Sequence, residues 1–254
     1  YKMKNATDWQ AGGEYTYTVS LAAAKDPGYT IEGNGSYTVT SADGLMNVAE
    51  LVNGGKTDIN ITLDKNIDLT GKDWTPIGTS FDNSYTGTFD GGGHTITGLT
   101  ITTKDQFVGL FGYLNRAGTV KNVVMEGVQI TSNQIYGGSI GGVVGYSWGT
   151  IENCSVSGSV SGTKCVGGVV GAQKAGSITG CSSSATVKGT VDVGGVAGEK
   201  WGSMTACYAT GNVTLEIDSP KNLSGGGLVG FNGGSSVLAC YATGNVTSTG
   251  SSTG

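Results

Sequence analysis

The apolar positions of this chain fall into two columns that recur together. The first is an apolar run flanked by glycine: Val108-Gly109-Leu110-Phe111-Gly112, Gly141-Gly142-Val143-Val144-Gly145, Gly167-Gly168-Val169-Val170-Gly171, Gly194-Gly195-Val196-Ala197-Gly198 and Gly226-Gly227-Leu228-Val229-Gly230. The second follows each copy at Val123, Cys154, Cys181, Cys207 and Cys240, with successive spacings of 31, 27, 26 and 33 residues. Self-similarity at about 20–50 residues marks a chain whose units bury their apolar faces only by stacking on one another. Within the copy Gly149-Thr150-Ile151-Glu152-Asn153-Cys154-Ser155-Val156-Ser157-Gly158-Ser159-Val160, the alternation puts Cys154, Val156, Gly158 and Val160 on one face and the serines on the other. About three strands of 3–5 residues and their turns fill one period, so each copy reads as one coil, stacked about 4.8 Å on the last through parallel ladders. The expected fold is all-β: a right-handed parallel β-helix (β-solenoid) with an N-terminal capping helix.

The helix is expected just ahead of the repeats. Ser41 or Asp43 can cap it, Leu45, Met46, Val48, Ala49, Leu51 and Val52 give an apolar face at helical spacing, and Gly54-Gly55 stops it. Laid over the first coil, it would cover unpaired backbone and open core. Short alternating strands at 59–63, 67–69, 85–89 and 95–101 then lead into the regular repeat. Residues 1–35 lack the repeat; Tyr15, Tyr17, Val19 and Leu21 alternate with polar residues as a half-buried strand would. Three regions follow: 1–35, the terminal strand segment of an upstream β domain; 36–108, the cap helix and first coils; and 109–254, the β-helix, cut short at its C-terminus. The chain reads as an excerpt of a longer one.

Composition narrows the function. Gly is 47 of 254 residues, charged residues are only 13 % and hydrophobic ones 37 %, which suits short strands and tight turns rather than a disordered chain. Residues 1–108 hold 7 Lys/Arg against 13 Asp/Glu, and residues 109–254 hold 7 against 6. Neither part has the basic footprint of a nucleic-acid partner, and no apolar run is long enough for insertion into a membrane. Cys154, Cys181, Cys207 and Cys240 share a register with Val123, so they are expected as a stacked core column of buried thiols. Cys165 lies outside it.

The repeats resemble GLUG motifs, carried here by Gly227-Leu228-Val229-Gly230 and its counterparts and by Cys207-Tyr208-Ala209-Thr210-Gly211-Asn212-Val213 and Cys240-Tyr241-Ala242-Thr243-Gly244-Asn245-Val246. The resemblance covers about residues 109–247. Trp9-Gln10-Ala11-Gly12-Gly13-Glu14-Tyr15-Thr16-Tyr17 also resembles the closing strand of fimbrillin-type adhesin domains of the Bacteroidales. The resemblance implies a bacterial surface module of the kind found in adhesins, filamentous-haemagglutinin-like exoproteins and the non-catalytic part of immunoglobulin A1 metallopeptidases. Its implied location is extracellular, at the cell surface and outer-membrane-associated.

Chemistry is sparse. Only Glu126, Glu152, Asp192, Glu199, Glu216 and Asp218 are acidic after residue 108, and Glu126 and Glu152 fall three positions apart in register. No carboxylate pair of the kind glycosidases use is therefore expected. His94 is the sole histidine, so no zinc-peptidase His pair exists, and no calcium loop is present. These observations predict no catalytic residues, no metal and no cofactor. The chain is thus expected to be no enzyme but an adhesion module binding a host or bacterial glycan or protein. A polysaccharide-active β-helix enzyme and a passive stalk are the alternatives; carboxylates converging in a groove would favour the enzyme. The candidate ligand-binding residues are Trp148 and Trp201, at equivalent turns with Ala175 between them, and Tyr208 and Tyr241, which should point outward from adjacent coils. The tyrosines equally suit a stacking ladder that stabilises the sheet.

Overall fold

The computed structural model describes residues 26–134, 137–216 and 224–249. The strand expected near Tyr15–Leu21 lies outside these residues. The chain winds as a parallel β-solenoid in which each full coil contributes a strand to four sheets. In the coil that shows this best, Ser139–Gly141 lies in sheet I, Val144–Ser147 in sheet II, Thr150–Glu152 in sheet III and Ser155–Ser161 in sheet IV. Among the described residues sheets I and II have five strands each, so five full coils run from Phe107 onward. Sheet III continues upstream through Thr88–Asp90, Ile61–Leu63 and Tyr37–Val39, where Tyr29–Ile31 closes it by antiparallel pairing. The ladder Val120–Ile151–Ile178–Met204–Val237 reproduces the spacings of the second sequence column.

Helix α1 (Ala42–Asn53) starts where Ser41 accepts a hydrogen bond from the Gly44 N–H at 3.1 Å and ends as the Gly54 N–H bonds to Glu50 O. Leu45, Val48, Ala49 and Val52, spaced i, i+3, i+4 and i+7, are buried in one cluster with Tyr37, Val39, Ile61 and Leu63. The helix thus closes the N-terminal end of the core.

The four-sheet coil corrects the three strands expected per repeat. The Gly-Gly-Val-Val-Gly run is not one element but a corner: its first glycine ends sheet I and its second valine opens sheet II. Its last glycine explains the motif. A Cβ on Gly145 would lie 2.5 Å from Val108 N, on Gly171 2.3 Å from Ile140 N, on Gly198 2.5 Å from Val166 N and on Gly230 2.3 Å from Val193 N. In every case the clash is with the sheet I strand of the preceding coil, so sheet II folds back directly onto sheet I backbone. The sheet IV strands run on into the longer intervals between copies, through Gln129–Ser132 and Thr214–Glu216.

At the corner between sheets III and IV the backbone turns through left-handed φ at Asn122 (54°), Asn153 (51°), Gly180 (63°), Ala206 (53°) and Ala239 (52°). This turn aims the next residue inward. Val123, Cys154, Cys181 and Cys207 are buried, and Cys240 in the last coil is half-buried. All five cysteines are free thiols. The Cys154 N–H reaches Cys181 Sγ at 3.5 Å and the Cys207 N–H reaches Cys240 Sγ at 3.3 Å, so the thiols act as acceptors within the stack.

A second interior column is less uniform. Sheet II pairs Leu114, Ser147, Gln173, Lys200 and Asn232 in succession. Ser147, Gln173 and Lys200 are fully buried. The Lys200 ammonium donates to Gly202 O and to Gly234 O of the next coil, each at 2.7 Å. A buried ammonium is tolerated only when it is so bonded, and burial still lowers its pKa below the usual lysine value.

The fold-back generates a direct prediction. Gly171→Ala should lower the unfolding free energy by about 3 kcal/mol, because the clash is with backbone that cannot give way. Gly33→Ala, whose Cβ would meet nothing within 4 Å, should leave the urea unfolding midpoint almost unchanged.

Candidate functional site

The fold-back sets two outward columns beside each other. The residue just after each motif's last glycine forms the sheet II column Tyr113–Tyr146–Ala172–Glu199–Phe231. The residue two before each motif's first glycine forms the sheet I column: Phe107 pairs with Ser139, and Cys165 and Asp192 follow in the next two coils. Between these columns runs a groove of about 360 Å³, lined among others by Phe81, Phe107, Tyr146, Cys165, Lys174 and Glu199.

One end of the groove is aromatic. The Phe107 and Tyr146 rings lie 5.1 Å apart, Phe107 and Tyr113 5.5 Å, and Tyr113 and Tyr146 4.9 Å. Phe81, 70 % exposed, packs edge-on to Tyr113 at the rim. Burial pushes both phenol pKa values up. The indole N–H of Trp148 makes no hydrogen bond of good geometry, but it lies close enough to both hydroxyls to offset part of that rise. Arg116 stacks 5.6 Å from the centre of the Trp148 ring.

The other end is ionic. Ala172 removes the side chain between Tyr146 and Glu199, and Lys174 crosses the gap. Its ammonium pairs with Glu199 Oε1 and lies 5.9 Å from the centre of the Tyr146 ring. The Trp201 indole N–H donates to the same Oε1. Cys165 Sγ lies 3.4 Å from Glu199 Oε2 and 3.9 Å from Asp192 Oδ2. Burial raises the Glu199 carboxyl, but hydrogen bonds from Lys174 and Trp201 outweigh it and hold the pKa below the usual value. Asp192 goes the other way: burial and then the Glu199 charge raise it, against the pull of Lys164. Cys165 is pushed up to about 12, by burial first and then by the two carboxylates.

The four residues singled out from the sequence do not form one surface. Trp148 and Trp201 sit at the corner between sheets II and III, outside the groove lining, one beside the hydroxyls of Tyr113 and Tyr146 and one bonded to Glu199. The register places Lys174 between them, not Ala175: Ser147 pairs with Gln173 and Gln173 with Lys200, so Lys174 follows Trp148 and precedes Trp201 in that column. Tyr208 and Tyr241 lie on sheet IV, separated from Trp201 by the sheet III strand Ser203–Thr205. Their rings stack 5.2 Å apart and only 6° from parallel, and they are 39 % and 55 % exposed.

The expectation that no carboxylates pair needs correction, because Asp192 and Glu199 bring oxygens within 4.8 Å of each other and of Cys165 Sγ. The two acids stand seven positions apart in sequence, which no coil-to-coil register comparison matches. The fold-back at Gly194–Gly198 makes them neighbours. An aromatic residue after the motif's last glycine in three of the five copies was the available sequence signal for the groove.

Comparison with known proteins agrees with this architecture. The chain carries GLUG motif repeats, with matches at residues 136–161, 162–188 and 222–247. The copies beginning at Val108 and Gly194 lie outside those matches yet form coils of the same plan. The chain is 38 % identical over 120 residues to Halomucin of Haloquadratum walsbyi, an alignment covering 43 % of this chain and 1 % of that protein. It is 33 % identical over 129 residues to a candidate Gly-rich membrane protein of Evansella cellulosilytica, covering 47 % of this chain and 14 % of the relative. A crystal structure of a candidate immunoglobulin A1 protease from Bacteroides ovatus superposes with a TM-score of 0.68 at 25 % identity, covering 88 % of this chain and 70 % of the other. GLUG repeats on a β-solenoid point to a surface protein. The expectation that the chain is no enzyme is corrected by the same comparison, since the solved structure sharing its fold is named as a protease.

The thiols offer a check on this geometry. Iodoacetamide at pH 8 should modify the half-buried Cys240 while Cys154, Cys181 and Cys207 stay unmodified until the chain is unfolded in urea, as read by peptide mass mapping. Cys165 should also react slowly: with a pKa of about 12, only about 10⁻⁴ of it is thiolate at that pH.

Proposed function

We propose that this chain is a binding module of a cell-surface protein, holding an extended glycan or protein partner in the groove between sheets I and II. The observation that carries the reading is the groove itself. Phe81, Phe107, Tyr113 and Tyr146 supply apolar faces at one end, and Lys174 and Glu199 supply fixed charge at the other. Aromatic faces with a few convergent polar groups on a rigid scaffold suit sugar rings and protein side chains alike. The surface location rests on the GLUG repeats and on the membrane protein among the relatives.

A second reading is favoured by two observations. Asp192 and Glu199 bring carboxylate oxygens within 4.8 Å of each other at the ionic end, and paired carboxylates are the groups that cleave glycosidic bonds. The structural neighbour is named as a protease. The partner held in the groove would then be a substrate, glycan or protein, that is hydrolysed.

A glycan and host-protein binding array separates these readings. Tyr146→Ala should weaken a selective interaction by about 30-fold, the loss typical of a central aromatic anchor, while Tyr208→Ala with Tyr241→Ala leaves it intact in a folded protein. Loss confined to the tyrosine-pair variant would move the site to sheet IV and defeat the groove assignment. Partners that bind, and immunoglobulin A1 itself, are then incubated with the chain. Cleavage products that disappear in Asp192→Asn would establish hydrolysis at this pair.

A further inference from the structure

We propose that Cys165, Asp192 and Glu199 form a binding site for a divalent transition metal ion of the zinc type, open to the groove. The inference stands on the geometry of these three side chains whether or not a partner occupies the groove.

The distances are those of ligands sharing one ion. Zinc bound tetrahedrally at about 2.3 Å from sulfur and about 2.0 Å from a carboxylate oxygen requires a sulfur–oxygen separation of about 3.5 Å. Cys165 Sγ lies 3.4 Å from Glu199 Oε2 and 3.9 Å from Asp192 Oδ2, and all three ligand atoms fall within 4.8 Å of one another. Both sulfur–oxygen distances thus lie within about 0.4 Å of the value a tetrahedral ion requires.

The surroundings orient the ligands as metal sites do. Lys174 and Trp201 both bond to Glu199 Oε1, which fixes the carboxylate plane and leaves Oε2 facing the thiol. Partners that hold a ligand's second atom are a regular part of metal sites. Cys165 and Asp192 both adopt left-handed φ, 46° and 55°, at adjacent coils; Phe107 and Ser139, which precede them in the column, do not. Glu199 is 9 % and Cys165 3 % exposed, so the ion would be drawn largely from bulk water.

The donor chemistry selects the ion. One thiolate with two carboxylates suits zinc, cobalt(II) or iron(II) better than magnesium or calcium, which take all-oxygen sets. On binding, the Cys165 S–H proton leaves to solvent and the sulfur lone pair joins the metal, with no change of oxidation state. Three protein ligands leave a fourth position, and because Cys165 and Glu199 line the groove, that position faces whatever occupies it. Among metal sites, three ligands and one open position is the arrangement that binds water or an exogenous group.

Cobalt(II) tests this on the intact chain. After dialysis against chelator under reducing conditions, titration should saturate at a single equivalent, with a thiolate-to-cobalt charge-transfer band in the near ultraviolet and visible bands of four-coordinate cobalt. Zinc should displace it and bleach the bands. Cys165→Ser should abolish the charge-transfer band, and Asp192→Asn and Glu199→Gln should each weaken binding by about tenfold or more. Cys240→Ser should leave the spectrum unchanged. Circular dichroism confirms that each variant is folded; if Glu199→Gln is not, Cys165→Ser and Asp192→Asn carry the result. Absence of the charge-transfer band, or a band that persists in folded Cys165→Ser, overturns the proposal.

Discussion

Sheet II can lie on the backbone of sheet I only because the last residue of each motif has no side chain. The contact repeats from coil to coil: Gly145 on Val108, Gly171 on Ile140, Gly198 on Val166 and Gly230 on Val193, each leaving no room for a Cβ. A solenoid wall built this way is stiff, because neither sheet can shift without backbone meeting backbone. The same contact decides what the outside looks like. It turns the residue after the glycine and the residue two before the motif toward a common groove, so side chains far apart along the coil become neighbours. Packing, register and candidate chemistry all depend on that one steric allowance.

Much of the fold is legible in the order of residues, and the reasons are local. The period is visible because stacked coils need the same corner and the same inward residue, so Ile151, Ile178 and Met204 occupy one ladder and Cys154, Cys181 and Cys207 the next. The helix is visible because Ser41, the apolar spacing of Leu45 to Val52, and Gly54 are each sufficient local signals. The fourth sheet is hidden, since a corner inside Gly-Gly-Val-Val-Gly and a strand spanning it read alike when both residues flanking the turn are buried. Lys174 is hidden for a different reason: the polar turns after sheet II differ in length, so only the ladder through Ser147, Gln173 and Lys200 reveals which residue faces Trp148 and Trp201. The pairing of Asp192 with Glu199 lies across two sheets, where no periodicity along the chain reports it.

Core and exterior are thus under separate constraints. Inward positions are mostly apolar residues and thiols, with the column through Ser147, Gln173 and Lys200 as the exception. The groove columns lie outside that stack and differ from coil to coil: Tyr113 and Tyr146 give way to Ala172, then to Glu199, and Phe107 gives way to Ser139, Cys165 and Asp192. A resemblance carried by the motif glycines and the inward residues therefore reports the scaffold. What the groove takes is written in positions to which the repeat itself is indifferent.

The interior column Leu114–Ser147–Gln173–Lys200–Asn232 runs against that indifference. Lys200 is held by carbonyls of its own coil and of the one after it, so it is at home only between those neighbours. Tandem copies of similar sequence invite unequal recombination, which adds or removes whole coils and would be silent if every coil were equivalent. Here, an exchange that set Lys200 beneath a coil with a different turn would strand an ammonium in the core. One buried charge thereby ties its own coil to the one that follows it, in an array that otherwise looks freely extensible.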